Sequence, residues 1–440
     1  MMGIRTFKGG IHPLEGENGK QVTAQSPVVS AAAPQQVAIM LSQHIGAPAT
    51  PLVNVGDRVL LYQKIGEPEG AVGAPIHASV SGKVLGIRRR IGALGAPVQA
   101  IVIDNDGLDE PFETQPKDPF AMDKKQLAAA IREAGIVGLG GAAFPTAVKL
   151  MPPIEKPIDT LIVNGAECEP YLTCDHRLML ESPDAVVDGL LIAKRILGAH
   201  RICIGIESNK ADAIAQIKRE ASGKDIEVIA LPAKYPQGGE KQLIQALTGR
   251  EVPSGKLPMD VGCVVINVAT TAAISGAIRT GKPIVERIVT VTGAVDAPKN
   301  LRVRIGTPIG ELIEQCGGLR PNVNKVLLGG PMMGNAALNL ETPVVKATSG
   351  LLLMEDKKLP RESNCIRCAR CASACPIRLL PMQLHILTQK ERIDEANAYR
   401  AMDCIECGCC SYVCPAKLPL VQSIRVAKRE ITRRNAGGLR

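Results

Sequence analysis

Gly138-Leu-Gly140-Gly141-Ala-Ala-Phe144-Pro-Thr146-Ala-Val-Lys149 is followed by Thr160-Leu-Ile-Val163-Asn164-Gly-Ala-Glu167-Cys-Glu169-Pro170. The run Thr160–Val163 is short, apolar and β-branched, which reads as a buried strand ending in an acidic loop. The small residues of the first stretch let backbone N–H groups approach a phosphate. Pro145-Thr146 opens a helix whose N-terminus favours anions, and Lys149 adds a positive charge. A helix over residues 124–134, ending at Gly135, precedes the loop. The usual dinucleotide fingerprint instead follows a strand, and a glycine-rich loop taken alone is often a plain turn.

Further strands read at Ile202–Ile206 and Ile226–Leu231. Helices lie between them. One has Ser182 as N-cap and Pro183 at its first position and ends at Gly198; the next runs from Ser208 to near Gly223. The apolar stretch Val264–Ile278 is broken by Asn267, Thr270, Thr271 and Ser275, and reads as a buried strand leading into a helix. Alternating strands and helices predict a parallel, doubly wound sheet with ligands at the carboxyl ends of its strands. Asn164, Glu167 and Glu169 stand at such an end, although loop carboxylates are as often simply solvated. Tyr235-Pro-Gln-Gly238-Gly239-Glu240 and Val265-Ile-Asn267-Val-Ala-Thr270 are the other candidate segments.

Two runs near the C-terminus carry the strongest chemistry. They are Cys365-Ile-Arg-Cys368-Ala-Arg-Cys371-Ala-Ser-Ala-Cys375-Pro376 and Cys404-Ile-Glu-Cys407-Gly-Cys-Cys410-Ser-Tyr-Val-Cys414-Pro415. Both are C-x2-C-x2-C-x3-C-P, the bacterial ferredoxin spacing for a 4Fe-4S cluster, whose fourth Cys serves the other cluster. That rule assigns Cys365, Cys368, Cys371 and Cys414 to one cluster, and Cys404, Cys407, Cys410 and Cys375 to the other. Zinc also uses paired C-x2-C units, but each run supplies four thiols at iron–sulfur spacing. Cys409 is surplus and reads as a packing residue, or as a substitute for Cys410 if the loop shifts. Leu380, Leu384, Leu387, Ile393 and Ala396 have helical spacing, so helices separate the runs.

The chain has 440 residues, enough for several domains. Aromatics make up 2%, so cores rest on aliphatic residues. No signal peptide and no membrane-spanning apolar run are readable. With no export signal, the 14 Cys argue for metal rather than disulfides. The net charge of +9 favours an acidic protein or an anionic membrane surface, and its lack of one long block argues against nucleic acid. The basic end, Arg425–Arg440, reads as a solvated tail.

Upstream, Val53–Val59 and Pro75–Val84 suggest a compact β unit, while residues 1–50 carry little periodic signal. This unit resembles the barrel-sandwich hybrid of biotinyl and lipoyl domains. The hairpin Glu67–Ala74 has no Lys to modify, so a structural or docking module is expected. Strands at Ile288–Thr292, Arg302–Ile305 and Val326–Leu328, with a helix from Pro308 capped by Thr307 and ending at Gly317–Gly318, resemble a β-grasp module of the SLBB type.

The flavin and nucleotide segments together resemble the NADH-binding flavoprotein subunits of respiratory complex I, which carry GxGGAxFPTxxK, N-x-x-E-x-E-P, Tyr…Gly…Glu and N-V-x-T in this order. The resemblance implies that Gly138, Gly140, Gly141, Lys149, Asn164, Tyr235, Gly238, Asn267 and Thr270 hold FMN. Phe144, Glu167, Glu169 and Glu240 would face NAD(H), with Glu169 as the catalytic group. Ala166 stands where that family usually has Asp. With the opening Phe7-Lys-Gly-Gly-Ile-His12-Pro added, the whole order is similar to the C subunits of Rnf/Rsx ion-translocating electron-transport complexes. The implied chain is a multidomain α/β protein with an N-terminal region and hybrid module (1–118), a parallel-sheet FMN/NADH core (119–287), a β-grasp SLBB domain (288–350), a double-cluster α-helical ferredoxin domain (351–425) and a basic tail (426–440). It would bind FMN and two 4Fe-4S clusters, with NAD(H) as substrate. Other subunits of a membrane complex would be its partners, with ferredoxin reached indirectly. It would lie peripherally on the cytoplasmic side of the cell membrane. A soluble flavin/iron–sulfur reductase of the cobalamin-reductase kind, or an electron relay without nucleotide binding, are the alternative readings.

Overall fold

The computed structural model describes residues 5–14, 19–355 and 361–437. Its centre is a parallel sheet of β1 (Thr160–Gly165), β2 (Arg201–Glu207), β3 (Glu227–Leu231) and β4 (Cys263–Asn267), in spatial order β3-β2-β1-β4. Around it lie α1 (Lys124–Glu133), α2 (Thr146–Leu150), α3 (Cys174–Glu181), α4 (Pro183–Leu197), α5 (Ala211–Glu220), α6 (Glu240–Thr248) and α7 (Val268–Thr280). β1, β2 and β4 are buried on both faces, whereas the edge strand β3 is partly exposed. Leu161, Val163, Ile202, Ile204 and Ile266 pack with α1, α4, α5 and α7. Ile162, Cys203 and Val265 pack with Leu243, Ile244 and Leu247 of α6 on the other face.

The chain adds β2 and β3 on one side of β1, then crosses with α6 on the opposite face to place β4 on the other side. The direction of winding therefore reverses between β1 and β4. Such a reversal opens a crevice at the carboxyl ends of the two strands. Asn164 and Asn267 are register partners at that point.

Two small sheets pack together in the N-terminal module. One is ordered Gln36–Met40, Pro97–Asn105, Gly82–Ile91, Arg58–Val59; the other is Ala49–Pro51, Lys64–Pro68, Ile76–His77. Ile39, Ile65, Ile76, Val84, Ile101 and Ile103 fill the space between them. The β-grasp sheet runs Val28–Ser30, Lys299–Arg304, Glu286–Gly293, Gly350–Glu355, Val323–Leu328, Asn335–Ala336. Three modules meet at Lys346, 1% exposed, whose ammonium donates to the carbonyls of Pro75 (2.8 Å) and Gly135 (2.7 Å).

Several expectations change. Residues 1–50 contribute strands, and Val28–Ser30 belongs to the β-grasp sheet, pairing parallel with Lys299–Arg304. That sheet also extends past 350, to Glu355. The basic end is not a solvated tail: Leu420–Gly437 is one helix, and its Ile424, Ala427 and Ile431 lie in a core with Leu384, Leu387 and Ile393. Residues 438–440 of that expected tail lie outside the described residues. Thr307 does not cap its helix; its hydroxyl donates to Arg304 O, and the helix begins at Ile309. Ser182 makes no side-chain cap and instead separates α4 from α3, a helix not read from the sequence. The helix expected from Ser208 starts at Ala211, because Lys210 turns inward to a buried site.

Candidate functional site

The crevice between β1 and β4 is lined from the strand ends outward. The Asn164 amide donates to Gly238 O (2.9 Å) and its oxygen accepts from Ala166 N (3.1 Å), tying the Tyr235–Glu240 segment to β1. The Asn267 oxygen accepts from Ala269 N (2.8 Å) and so caps α7, while its amide donates to Asp175 (2.6 Å). Thr270 accepts from Leu139 N (2.9 Å), fixing the glycine loop to α7. That loop closes on itself through Gly138 N to Phe144 O (2.8 Å) and Ala143 N to Gly138 O (3.1 Å). A Cβ on Gly140 would stand 3.2 Å from the Asn267 Cβ, and one on Gly238 would stand 3.2 Å from the Cys168 sulfur. Gly141 has φ +115° with open space above it.

Glycines therefore set a cradle against the strand ends and leave its outer side clear. The hydroxyl of Thr146, at the start of α2, and both amide atoms of Gln237, in the Tyr235–Glu240 segment, are buried with no protein partner. Buried polar groups are ordinarily bonded, so loose donors and acceptors beside an open backbone cradle fit a polar, phosphate-bearing cofactor such as FMN.

The acidic loop is held from three sides. Glu167 accepts from Asp175 N (2.7 Å) and His176 N (3.2 Å) at the start of α3. Burial pushes its carboxyl up to about 7, with the Lys20 ammonium opposing and Asp175 adding to the rise. Glu169 accepts from Met332 N (2.6 Å) and Met333 N (3.1 Å), both in the β-grasp module, and burial also raises its pKa. Gly330 makes this contact possible, since a Cβ there would sit 2.1 Å from Glu169 Cγ. The Lys20 ammonium donates to the carbonyls of Glu167, Glu169 and Leu172 at 2.9, 2.7 and 2.6 Å. Lys210, 2% exposed, donates to Ala166 O (2.7 Å) and pairs with buried Glu207 (3.3 Å). Ala166, at the place where the complex I flavoprotein family usually has Asp, is fully buried and bonded through its backbone alone.

Nine cysteines line two cavities. Cys365, Cys368, Cys371 and Cys414 line one; Cys375, Cys404, Cys407 and Cys410 line the other, together with Cys409. The two runs repeat the same backbone. Arg367, Ala369 and Arg378 have left-handed φ of 56°, 58° and 60°, matched by Glu406 (58°), Gly408 (77°) and Lys417 (54°). Non-glycine residues take this conformation only at a cost of about 1–2 kcal/mol each. One return is that amides turn toward sulfur: Arg367 N to Cys365 Sγ and Glu406 N to Cys404 Sγ, both at 3.4 Å. The four sulfurs assigned to each cavity, with N–H donors behind them, fit a 4Fe-4S cluster.

Two predicted site residues bond to partners not read from the sequence. Tyr235 turns its hydroxyl to the second cysteine run. It is buried among Ile11, Ala374, Cys407 and Cys409, and donates to Cys407 O at 2.9 Å. Lys149 and Glu240 were expected on different ligands, yet they form an ion pair at 2.6 Å. Sequence reading passed over Lys20, Asp175, Gln237 and the segment Gly330–Gly334. Each acts through a distant backbone group or a fold-made neighbour. The glycines flanking Pro331-Met332-Met333 were the one visible signal.

The chain matches the RnfC barrel sandwich hybrid domain over residues 5–108, the Nuo51 FMN-binding domain over 131–276, the SLBB domain over 288–336 and the 4Fe-4S dicluster domain over 364–418. It is 48% identical over 436 residues, 97% of each chain, to the C subunit of the Na(+)-translocating ferredoxin:NAD(+) oxidoreductase complex of Acetobacterium woodii. It is 48% identical over 398 residues, 89% of this chain and 86% of the relative, to the C subunit of the proton-translocating ferredoxin:NAD(+) oxidoreductase complex of Clostridium ljungdahlii. The C subunit of the ion-translocating oxidoreductase complex of Rhodobacter capsulatus is 43% identical over 439 residues, 98% of this chain and 84% of that one. A chain of the NAD+-reducing NiFe hydrogenase, solved in the H2-reduced state, shares the fold at a TM-score of 0.50 and 20% identity, over 72% of this chain and 65% of that one. The chain belongs to the family of C subunits of ion-translocating ferredoxin:NAD(+) oxidoreductase complexes.

Proposed function

We infer that this protein is the peripheral NAD(H)- and flavin-binding electron-transfer subunit of an ion-translocating ferredoxin:NAD oxidoreductase, docked on the cytoplasmic side of the membrane. Among the described residues no helix is long and apolar enough to cross a membrane, so attachment runs through other subunits. When bound, FMN supplies the exchange between hydride, a two-electron unit, and single electrons that 4Fe-4S clusters can take. The protein's part is placement. Gly138, Gly140, Gly141, Gly238, Asn164, Asn267 and Thr270 form the FMN cradle, with the Lys149–Glu240 pair beside it. Glu167 and Glu169 present half-buried carboxyls on the nucleotide side, Glu169 as the group nearest the chemistry.

The observation that carries the reading is the Tyr235–Cys407 bond. It joins the loop bound to Asn164 directly to a cysteine of the inner cavity, the one lined by Cys375, Cys404, Cys407 and Cys410. A relay without nucleotide binding would leave the cradle and its bond to this cysteine loop without a purpose. The other cavity has exposed cysteines, Cys365 and Cys368, with Ile366 68% exposed between them, so a partner's redox centre can approach there.

Anaerobic NADH titration of the reconstituted protein tests this, followed optically and by EPR. NADH should bleach a flavin band and bring up two iron–sulfur signals. Iron–sulfur absorbance with no flavin and no NADH oxidation would refute the reading. Cys375→Ser should remove the signal of the cluster held by Cys404, Cys407 and Cys410 while sparing the other; loss of the opposite signal would overturn the ligand assignment. Glu169→Gln should depress NADH oxidation while dithionite still reduces both clusters.

A further inference from the structure

The opening Phe7-Lys-Gly-Gly-Ile-His12-Pro takes no part in the cradle or the cavities, yet it touches the loops of both. The Phe7 carbonyl accepts from the Lys234 ammonium at 2.8 Å, and the same ammonium lies 4.4 Å from the Phe7 ring centre. Ile11 and Tyr235 exchange both backbone bonds, at 2.8 and 2.9 Å. Between these anchors, Gly10 N donates to Ala374 O at 2.9 Å. Further on, Leu14 N donates to the Tyr412 hydroxyl at 3.0 Å. One short segment thus bonds the Tyr235 loop of the flavin cradle, the arm carrying Cys375, and the short helix within the second cysteine run.

Gly9 and Gly10 make this possible. Their φ values are +76° and +80°. A Cβ on Gly9 would stand 2.6 Å from Cys375 O, and a Cβ on Gly10 would stand 2.6 Å from Tyr235 O. Both obstacles are backbone, which cannot swing aside as a side chain can. Cys375 is the donor that the inner cavity takes from the other cysteine run, so its place depends on how the two runs are held together.

We propose that residues 7–14 are a strap that fixes the Cys375 arm of the inner cluster site against the flavin cradle, with Gly9 and Gly10 as its positioning residues. This rests on the inner cavity holding a cluster. The strap acts on distance and orientation, and it touches neither the nucleotide loop nor the sulfurs of Cys365 and Cys368.

The test uses the full-length protein, reconstituted anaerobically, as wild type, Gly9→Ala, Gly10→Ala and Lys234→Met. Gly56→Ala serves as the control, since Gly56 has φ +96° and nothing within 4 Å of a Cβ. In Gly9→Ala and Gly10→Ala the EPR signal removed by Cys375→Ser should shift and broaden, while the other signal stays at the wild-type and Gly56→Ala values. Backbone amides of residues 374–379 should exchange hydrogen faster. Lys234→Met, which leaves the strap backbone intact, should give a smaller change in the same direction, and it carries the test if the glycine variants do not fold. Unchanged EPR and exchange in the folded variants would overturn the proposal, as would equal disturbance of both clusters. Hydrogen exchange of the metal-free chain reads the strap contact by itself, so a wild type without a second EPR centre counts against the cluster assignment and not against the strap.

Discussion

Glu167 illustrates how a single side chain here serves both structure and site. Its carboxylate bonds the first amides of α3, and burial holds its pKa near 7 against 4.5 when unfolded. The folded state therefore binds more protons between those values, so this group's contribution to stability is present below about pH 4.5 and is lost as pH rises through 7. Glu167→Gln should flatten that part of the pH–stability curve, measured by thermal unfolding from pH 4.5 to 8; an unchanged slope would show that the carboxyl titrates normally. At this scale the sequence was readable where chemistry runs through the backbone. At Gly140 and Gly238 a Cβ would crowd Asn267 and the Cys168 sulfur at 3.2 Å, and Asn164 and Asn267 stand at the carboxyl ends of apolar strand runs. The partners of Tyr235 and Lys149 were not readable, because the fold brings them from Cys407 and Glu240.

Among the elements, the C-terminal helix departs most from its sequence. It carries five arginines and lysines, and Leu420, Ile424, Ala427 and Ile431 hide among them at helical spacing. The polar side also works inward: Arg425 and Lys428 grip Glu406, at 2.8 and 2.6 Å, inside the second cysteine run. Ile431→Ala should cost about 2–5 kcal/mol and speed loss of iron on warming; stability within error of wild type would return the helix to the status of a tail. The sheet, in contrast, was readable at this scale, since β1, β2 and β3 are apolar runs between well-marked turns. The short α3 was not, because Cys174–Glu181 mixes Asp, His and Arg with apolar residues.

Across the whole molecule, the order of modules was readable because each has its own motif, but their interlocking was not. Glu169 is held by the β-grasp module, Asn300 of that module donates to Thr23 O, and Lys346 binds carbonyls of two other modules. These bonds join residues far apart in the chain, with no local pattern to announce them. Lys346→Met would orphan the Pro75 and Gly135 carbonyls, at about 1–3 kcal/mol each. Calorimetry should then show unfolding split into separate transitions; a single unshifted peak would mean the junction contributes little coupling.

The strand Val28–Ser30 has a bearing on how the protein is made. Its partner, Lys299–Arg304, leaves the ribosome much later. At ordinary elongation rates that delay is on the order of 15–60 s. Throughout it the first strand has no edge to join, and the nascent chain exposes backbone that can pair with a neighbour on the same polysome. Slowing translation before residue 299 should therefore raise the aggregated fraction of newly made chains, while the finished protein is unaffected.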